Sequence, residues 1–130
     1  MPHTGPNEFW GGMGLLVPVD CYLTRVAHVW TETTRLVGAA GTSQYVQTYT
    51  GRPASIMSTP QGATGDALYT LRHNWLISNV ASGSTWHTCE DISPAVELDA
   101  CDEVLVAFLT HGTPPDGQNA GSTTWFFDSR

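Results

Sequence analysis

The chain has 130 residues, enough for one domain with one real core, and only 13% of them are charged against a usual share of roughly 25%. Its net charge is −7 and its five cations are all arginine (Arg25, Arg35, Arg52, Arg72 and Arg130), which argues against a nucleic-acid partner, because a phosphate backbone needs clustered Lys and Arg. No apolar run nears the roughly 20 residues that span a bilayer, and Met1-Pro-His-Thr-Gly-Pro lacks the regions of a signal peptide, so synthesis into a cytoplasm with no membrane partner is expected.

Residues 1–16 are rich in glycine and proline, which hold poorly in a helix or a sheet, yet they carry Phe9, Trp10, Met13, Leu15 and Leu16. Burying a large apolar side chain is worth about 1.5–3 kcal/mol, so this segment is expected to pack against something. Two readings stand: a strand or arm folded onto its own domain, or an arm docked on a neighbouring subunit. We take residues 1–16 as an extended N-terminal arm, with those five side chains as its partner-binding residues, and residues 17–130 as the domain.

From Val17 the pattern alternates. Val17, Val19, Cys21, Leu23, Ala27 and Val29 share one phase, and Asp20, Tyr22, Thr24, Val26 and His28 share the other. This predicts a long half-buried strand, with Arg25 the one polar residue on the inward phase and a place for a bulge. Residues 31–37 pair back or form an edge, and Gly38 to Ser43 is a loop. Gln44 to Thr50 reads as a strand, and the long irregular stretch from Ser55 to Asp66 is anchored by Ile56 and Met57. Leu68 to Val80 nearly fits a helical period, but Tyr69, Leu71, His73, Trp75 and Ile77 fit a strand better. Ala81 to Ser84 is a turn, and Thr85 to Cys89 is a short strand.

Pro94 to Gly112 organises the rest. Two apolar runs, Ala95 to Leu98 and Val104 to Leu109, flank the acidic connector Asp99-Ala100-Cys101-Asp102-Glu103. The second run is apolar on both phases and predicts a central strand buried on both faces, after a tight corner at the connector. His111 to Gly121 is an exposed loop, and Ser122 to Asp128 closes the domain as a strand. Seven or eight strands without a helix predict an all-β, single-domain antiparallel β-sandwich of the jelly-roll type.

Chemistry-bearing residues are scattered. His3, His28, His73, His87 and His111 form no H-x-H or H-x-x-x-H pair, and His73, His87 and Cys89 on neighbouring predicted strands are a geometrically possible metal set. Cys89 or Cys101 with His87 or His111 would be needed for a nucleophilic pair, and three cysteines with five histidines always permit one by chance. No phosphate loop, nucleophile elbow or dinucleotide fingerprint occurs, so neither an enzyme nor a cofactor is expected. Cys21, Cys89 and Cys101 suggest reduced thiols, with a Cys89–Cys101 bridge still open. Glu90-Asp91 and Asp99-x-x-Asp102-Glu103 could serve as solvated turn acids, as calcium ligands, or as partners for arginines of another subunit. Of the five tryptophans, three are expected in the core and one or two, Trp10 first, at an interface.

Val96-Glu-Leu-Asp-Ala-Cys-Asp-Glu-Val-Leu-Val-Ala-Phe, followed by a loop and Ser122-Thr-Thr-Trp-Phe-Phe, resembles the last strands of C1q/TNF-type jelly rolls. Similar small jelly rolls occur among the decoration (cement) proteins of tailed-phage capsids, commonly as trimers. The likeness covers about a quarter of the chain and departs at Cys101, where glycine is usual. It implies a jelly-roll fold more than a role. The all-β pattern, the apolar arm at residues 1–16, the absence of a catalytic motif and the acidic surface then lead us to expect a structural virion protein that binds a major capsid protein and itself, as a homotrimer. A carbohydrate- or receptor-binding module that stacks sugars on Trp86, Trp75 or Tyr49 is the alternative, and a metal-dependent jelly-roll enzyme using His73 and His87 is a third.

Overall fold

A computed structural model describes residues 9–32, 43–52, 69–77, 85–111 and 119–130. Seven strands run through them: β1 (Phe9–Leu16), β2 (Cys21–Glu32), β3 (Ser43–Gly51), β4 (Tyr69–Ile77), β5 (Thr85–Leu98), β6 (Glu103–His111) and β7 (Asn119–Ser129). They form two antiparallel sheets, one of four strands in the order β1-β6-β3-β4 and one of three in the order β5-β2-β7. The all-β, sandwich-like expectation holds, and the segment that nearly fitted a helical period is β4. The readings for residues 33–42, for the stretch around Ile56 and Met57, for the turn at 81–84 and for most of the loop after His111 lie outside the described residues.

Phe9–Leu16, assigned to an extended arm, is a strand of the domain itself. It pairs with β6 from Phe9↔Leu109 to Leu16↔Glu103, with a register shift between Gly11 and Gly14 that absorbs the glycine-rich middle. Residues 1–8 lie outside the described residues.

β6 holds the four-stranded sheet together, lying between β1 and β3. Val104, Leu105, Ala107 and Phe108 are all buried, which is why this run reads as apolar on both phases. Across the sandwich, Val104 joins Val17, Cys21, Leu23, Val26, Ile92, Val96 and Leu98 in one apolar cluster, with Trp125 and Phe127 packed against it.

The bulge expected near Arg25 is present, and its consequence corrects the inward phase assigned to β2. Register against both β5 and β7 shifts between Leu23 and Arg25. An extra residue in a strand reverses which side chains face the core. Cys21 and Leu23 are buried before the bulge, and Val26 and His28 after it, while Val29 is exposed. Arg25 therefore faces solvent.

β5 runs through what was read as a short strand, a break and a separate apolar run. Leu23 pairs with Val96 and Arg25 with Asp91, so residues 92–95 arch out of the ladder opposite Thr24. Pro94, which cannot donate a ladder hydrogen bond, sits in that arch on an edge strand, where it is tolerated.

The corner between β5 and β6 is a tight turn in which every amide is used. Asp102 N–H donates to Asp99 O (2.9 Å) and Cys101 N–H to Val17 O (2.8 Å). Asp99 N–H donates to Asp102 Oδ2 (2.8 Å) and Ala100 N–H to Asp20 Oδ1 (2.9 Å). Cys101 has φ 74°, the left-handed conformation for which glycine is usual at the third position of a type II turn. The corner thus has the geometry a glycine would give, built on a cysteine.

Candidate docking edge and inter-sheet histidine cluster

β1 is an edge strand, and Phe-Trp-Gly-Gly-Met-Gly-Leu-Leu contains no charge. Edge strands offer unpaired backbone groups to other chains, and proteins ordinarily blunt them with charge, proline or cover. Here the strand ends in Leu15 and Leu16, which are 42% and 56% exposed, with Val19 exposed just beyond. The backbones of Phe9, Trp10 and Met13 lie in β1, while their side chains lie outside the described residues. The opposite edge strand of this sheet, β4, carries exposed Leu71 and Leu76.

Between the sheets lies a group that sequence spacing did not reveal. The phase reversal in β2 turns His28 inward, where it is fully buried. Its Nδ1 lies 2.7 Å from Thr123 Oγ1 of β7, and its ring stacks on Trp75 of β4 at 5.3 Å between centroids and 1° between planes. His73 of β4 lies 5.8 Å from His28, ring to ring, and its Nε2 is 3.2 Å from Glu90 Oε2 of β5. Thr88 donates to the other oxygen of Glu90 (2.8 Å). Trp125 of β7 donates from Nε1 to the buried Thr48 of β3 (3.1 Å). His28 Nε2 and His73 Nδ1 are buried without a hydrogen-bond partner among the described residues.

Burial pushes His28 down to about 4, with the neighbouring His73 adding to the effect and Glu90 opposing it. His28 is therefore a neutral ring at neutral pH, held between a hydroxyl and an indole. Glu90 is held below the usual carboxylate range, first by the Thr88 hydroxyl and then by His73. His28 is closed off from solvent, while Thr123 is half-buried.

The metal set considered from sequence, His73 with His87 and Cys89, does not assemble. β4 and β5 belong to different sheets, His73 meets Glu90, and His87 and Cys89 are both exposed. Among the described residues, no group of three or more His, Cys, Asp and Glu converges as a metal site. Cys21, Cys89 and Cys101 are free thiols.

The acidic connector meets arginines of its own chain. Arg52 donates from Nε to Asp102 Oδ1 (3.0 Å), and its NH2 lies 2.9 Å from the same oxygen. Arg130 donates to Leu98 O (2.8 Å) and Asp99 Oδ1 (2.7 Å) and pairs with Glu97. The hydrogen bond from Arg130 holds Asp99 below its ordinary value, helped by the charges of Arg130 and Arg52.

Two of the sugar platforms considered from sequence are engaged inside the chain. Trp75 stacks on His28, and the Tyr49 hydroxyl donates to Gln47 Oε1 (2.9 Å). The Trp86 side chain lies outside the described residues. No protein-family model matches the chain, and no curated protein matches it either.

Proposed function

We propose that this chain is a structural virion protein, a decoration or cement protein that binds a major capsid protein and stabilises a phage capsid lattice. The observation that carries the reading is β1, an uncharged eight-residue edge strand ending in two exposed leucines. Such an edge is a liability in isolation and an asset in an assembly.

A homotrimer is part of the same proposal, and the two edges of this sheet support it. Both edges expose leucines, Leu15 and Leu16 at one and Leu71 and Leu76 at the other, the latter beside exposed Arg72 and Asn74. Head-to-tail contact between unlike edges closes into a ring when the rotation permits. Several copies then engage a lattice together, with avidity that no single contact supplies. The jelly-roll reading belongs to this proposal: β6 returns beside β1 and β7 beside β2, long crossovers of the Greek-key kind. A carbohydrate- or receptor-binding module is the second reading, and the engagement of Trp75 and Tyr49 within the chain weakens the version built on them.

Sedimentation of the purified protein, and electron microscopy of it mixed with undecorated capsids, test the proposal. The expected result is a trimer that occupies the lattice, and a Leu15→Asp/Leu16→Asp variant that stays folded but is monomeric and unbound. A stable monomer with no occupancy would overturn it.

A further inference from the structure

We infer that the outer face of the three-stranded sheet carries a saccharide-binding cleft built on the β2 bulge. Leu23 and Val26, on either side of the bulge, are both buried, which leaves Thr24 and Arg25 together on the outer side. On β7, Phe126 and Asp128 alternate with Trp125 and Phe127, which pack against the core, so they face the same way. The arch at residues 92–95 raises a wall beside them. Thr24, Arg25, Asp91, Ser93, Phe126 and Asp128, with Ile92 beneath them, line the resulting wide-open cleft of about 490 Å³. That is within the roughly 300–1,000 Å³ of ordinary ligand sites.

The lining selects the ligand class by exclusion. Arg25 Nε lies 2.8 Å from Asp91 Oδ1, so the guanidinium neutralises one of the two carboxylates and leaves little pull on a cation. An anion would meet Asp91 and Asp128. A wholly apolar ligand would strip water from five polar side chains without replacing its hydrogen bonds. A pyranose satisfies both requirements: hydroxyls around its rim and an apolar C–H face. Phe126, 42% exposed, offers the flat apolar surface for that face. Asp91 and Asp128 accept from sugar hydroxyls, and Ser93 and Arg25 donate to them. The Thr24 hydroxyl donates to Phe126 O (3.2 Å) and keeps its lone pairs for the ligand. None of this draws on β1, so the cleft stands or falls separately from lattice binding.

Saturation-transfer NMR on the full chain tests it, using disaccharides of glucose, galactose and N-acetylglucosamine at millimolar concentration. At least one is expected to receive saturation at its ring C–H protons. Phe126→Ala should weaken that binding roughly tenfold or more. Asp128→Asn, which keeps the side chain's shape and so guards against a misfolded Phe126 variant, should weaken it as well. No transfer to any of these sugars, or transfer unchanged in both variants, would overturn the inference. The Leu15→Asp/Leu16→Asp variant should retain sugar binding, which keeps failure of the cleft distinct from failure of the docking edge.

Discussion

Cys101 carries a conformation that suits a different residue. A side chain at φ 74° meets the backbone in a way glycine avoids, at a penalty of about 1–2 kcal/mol, partly offset by the greater chain entropy that glycine loses on folding. The thiol is exposed and contributes no core contact. Cys101→Gly should therefore stabilise the protein by about 1 kcal/mol or somewhat less, read as a higher urea midpoint with an unchanged slope. His28 makes an opposite kind of demand, because it must stay neutral to stay buried. Its folded value of about 4 lies below the ordinary 6.5, so between those pH values the unfolded chain binds the proton better. Stability is then full above pH 6.5 and declines as pH falls toward 4, by on the order of 3 kcal/mol at about 1.36 kcal/mol per pH unit. Glu90, also lowered, adds loss of the same sign further into acid. Denaturant titrations from pH 7 to 4 should show this limb, and His28→Phe, which can still stack on Trp75, should flatten it.

β3 was legible from its β-branched and aromatic alternation and β6 from its continuous apolar run. The alternation read in β4 breaks at Arg72, left over between Thr48↔His73 and Tyr49↔Leu71, so that Leu71 is exposed while His73 and Trp75 turn inward. What alternation hides is its own interruption. Arg25 marked the bulge, but the reversal beyond it, which buries His28 and exposes Val29, follows only once the extra residue is counted into the register. The strand read at Thr85 to Cys89 continues as β5 to Leu98, passing Pro94 in an arch on a sheet edge. The histidine cluster was illegible for a further reason: His28, His73 and Glu90 come from three strands in two sheets, and nothing local in sequence announces which faces oppose. Arg52 and Arg130 likewise reach the acidic corner from remote positions. At this scale β6 sets the clearest test. Phe108 is buried at the centre of the four-stranded sheet, and Phe108→Ala should cost about 3–5 kcal/mol in chemical denaturation.

Two kinds of packing meet in the interior: an aliphatic cluster that includes Val17, Leu23 and Val104, and a polar-aromatic group of His28, His73, Trp75 and Thr48, with Trp125 touching both. Both sheets depend on pairing between strands remote in sequence, β1 with β6 and β2 with β7. Deleting residues 1–16 therefore removes the outer neighbour of β6 and not a detachable tail. The truncated chain should unfold outright or melt at least about 10 °C lower by calorimetry, at roughly 4 °C per kcal/mol. An unchanged melting point would mean that the domain is complete without β1. The coplanar contact of Trp75 with His28 has an optical corollary. An imidazolium ring quenches indole fluorescence by accepting an electron from the excited state, and a neutral imidazole does so far less. Trp75 emission should accordingly dim as acid reaches the ring beneath it, and Trp75→Phe should abolish that dimming, so the molecule carries its own luminescent gauge of interior protonation.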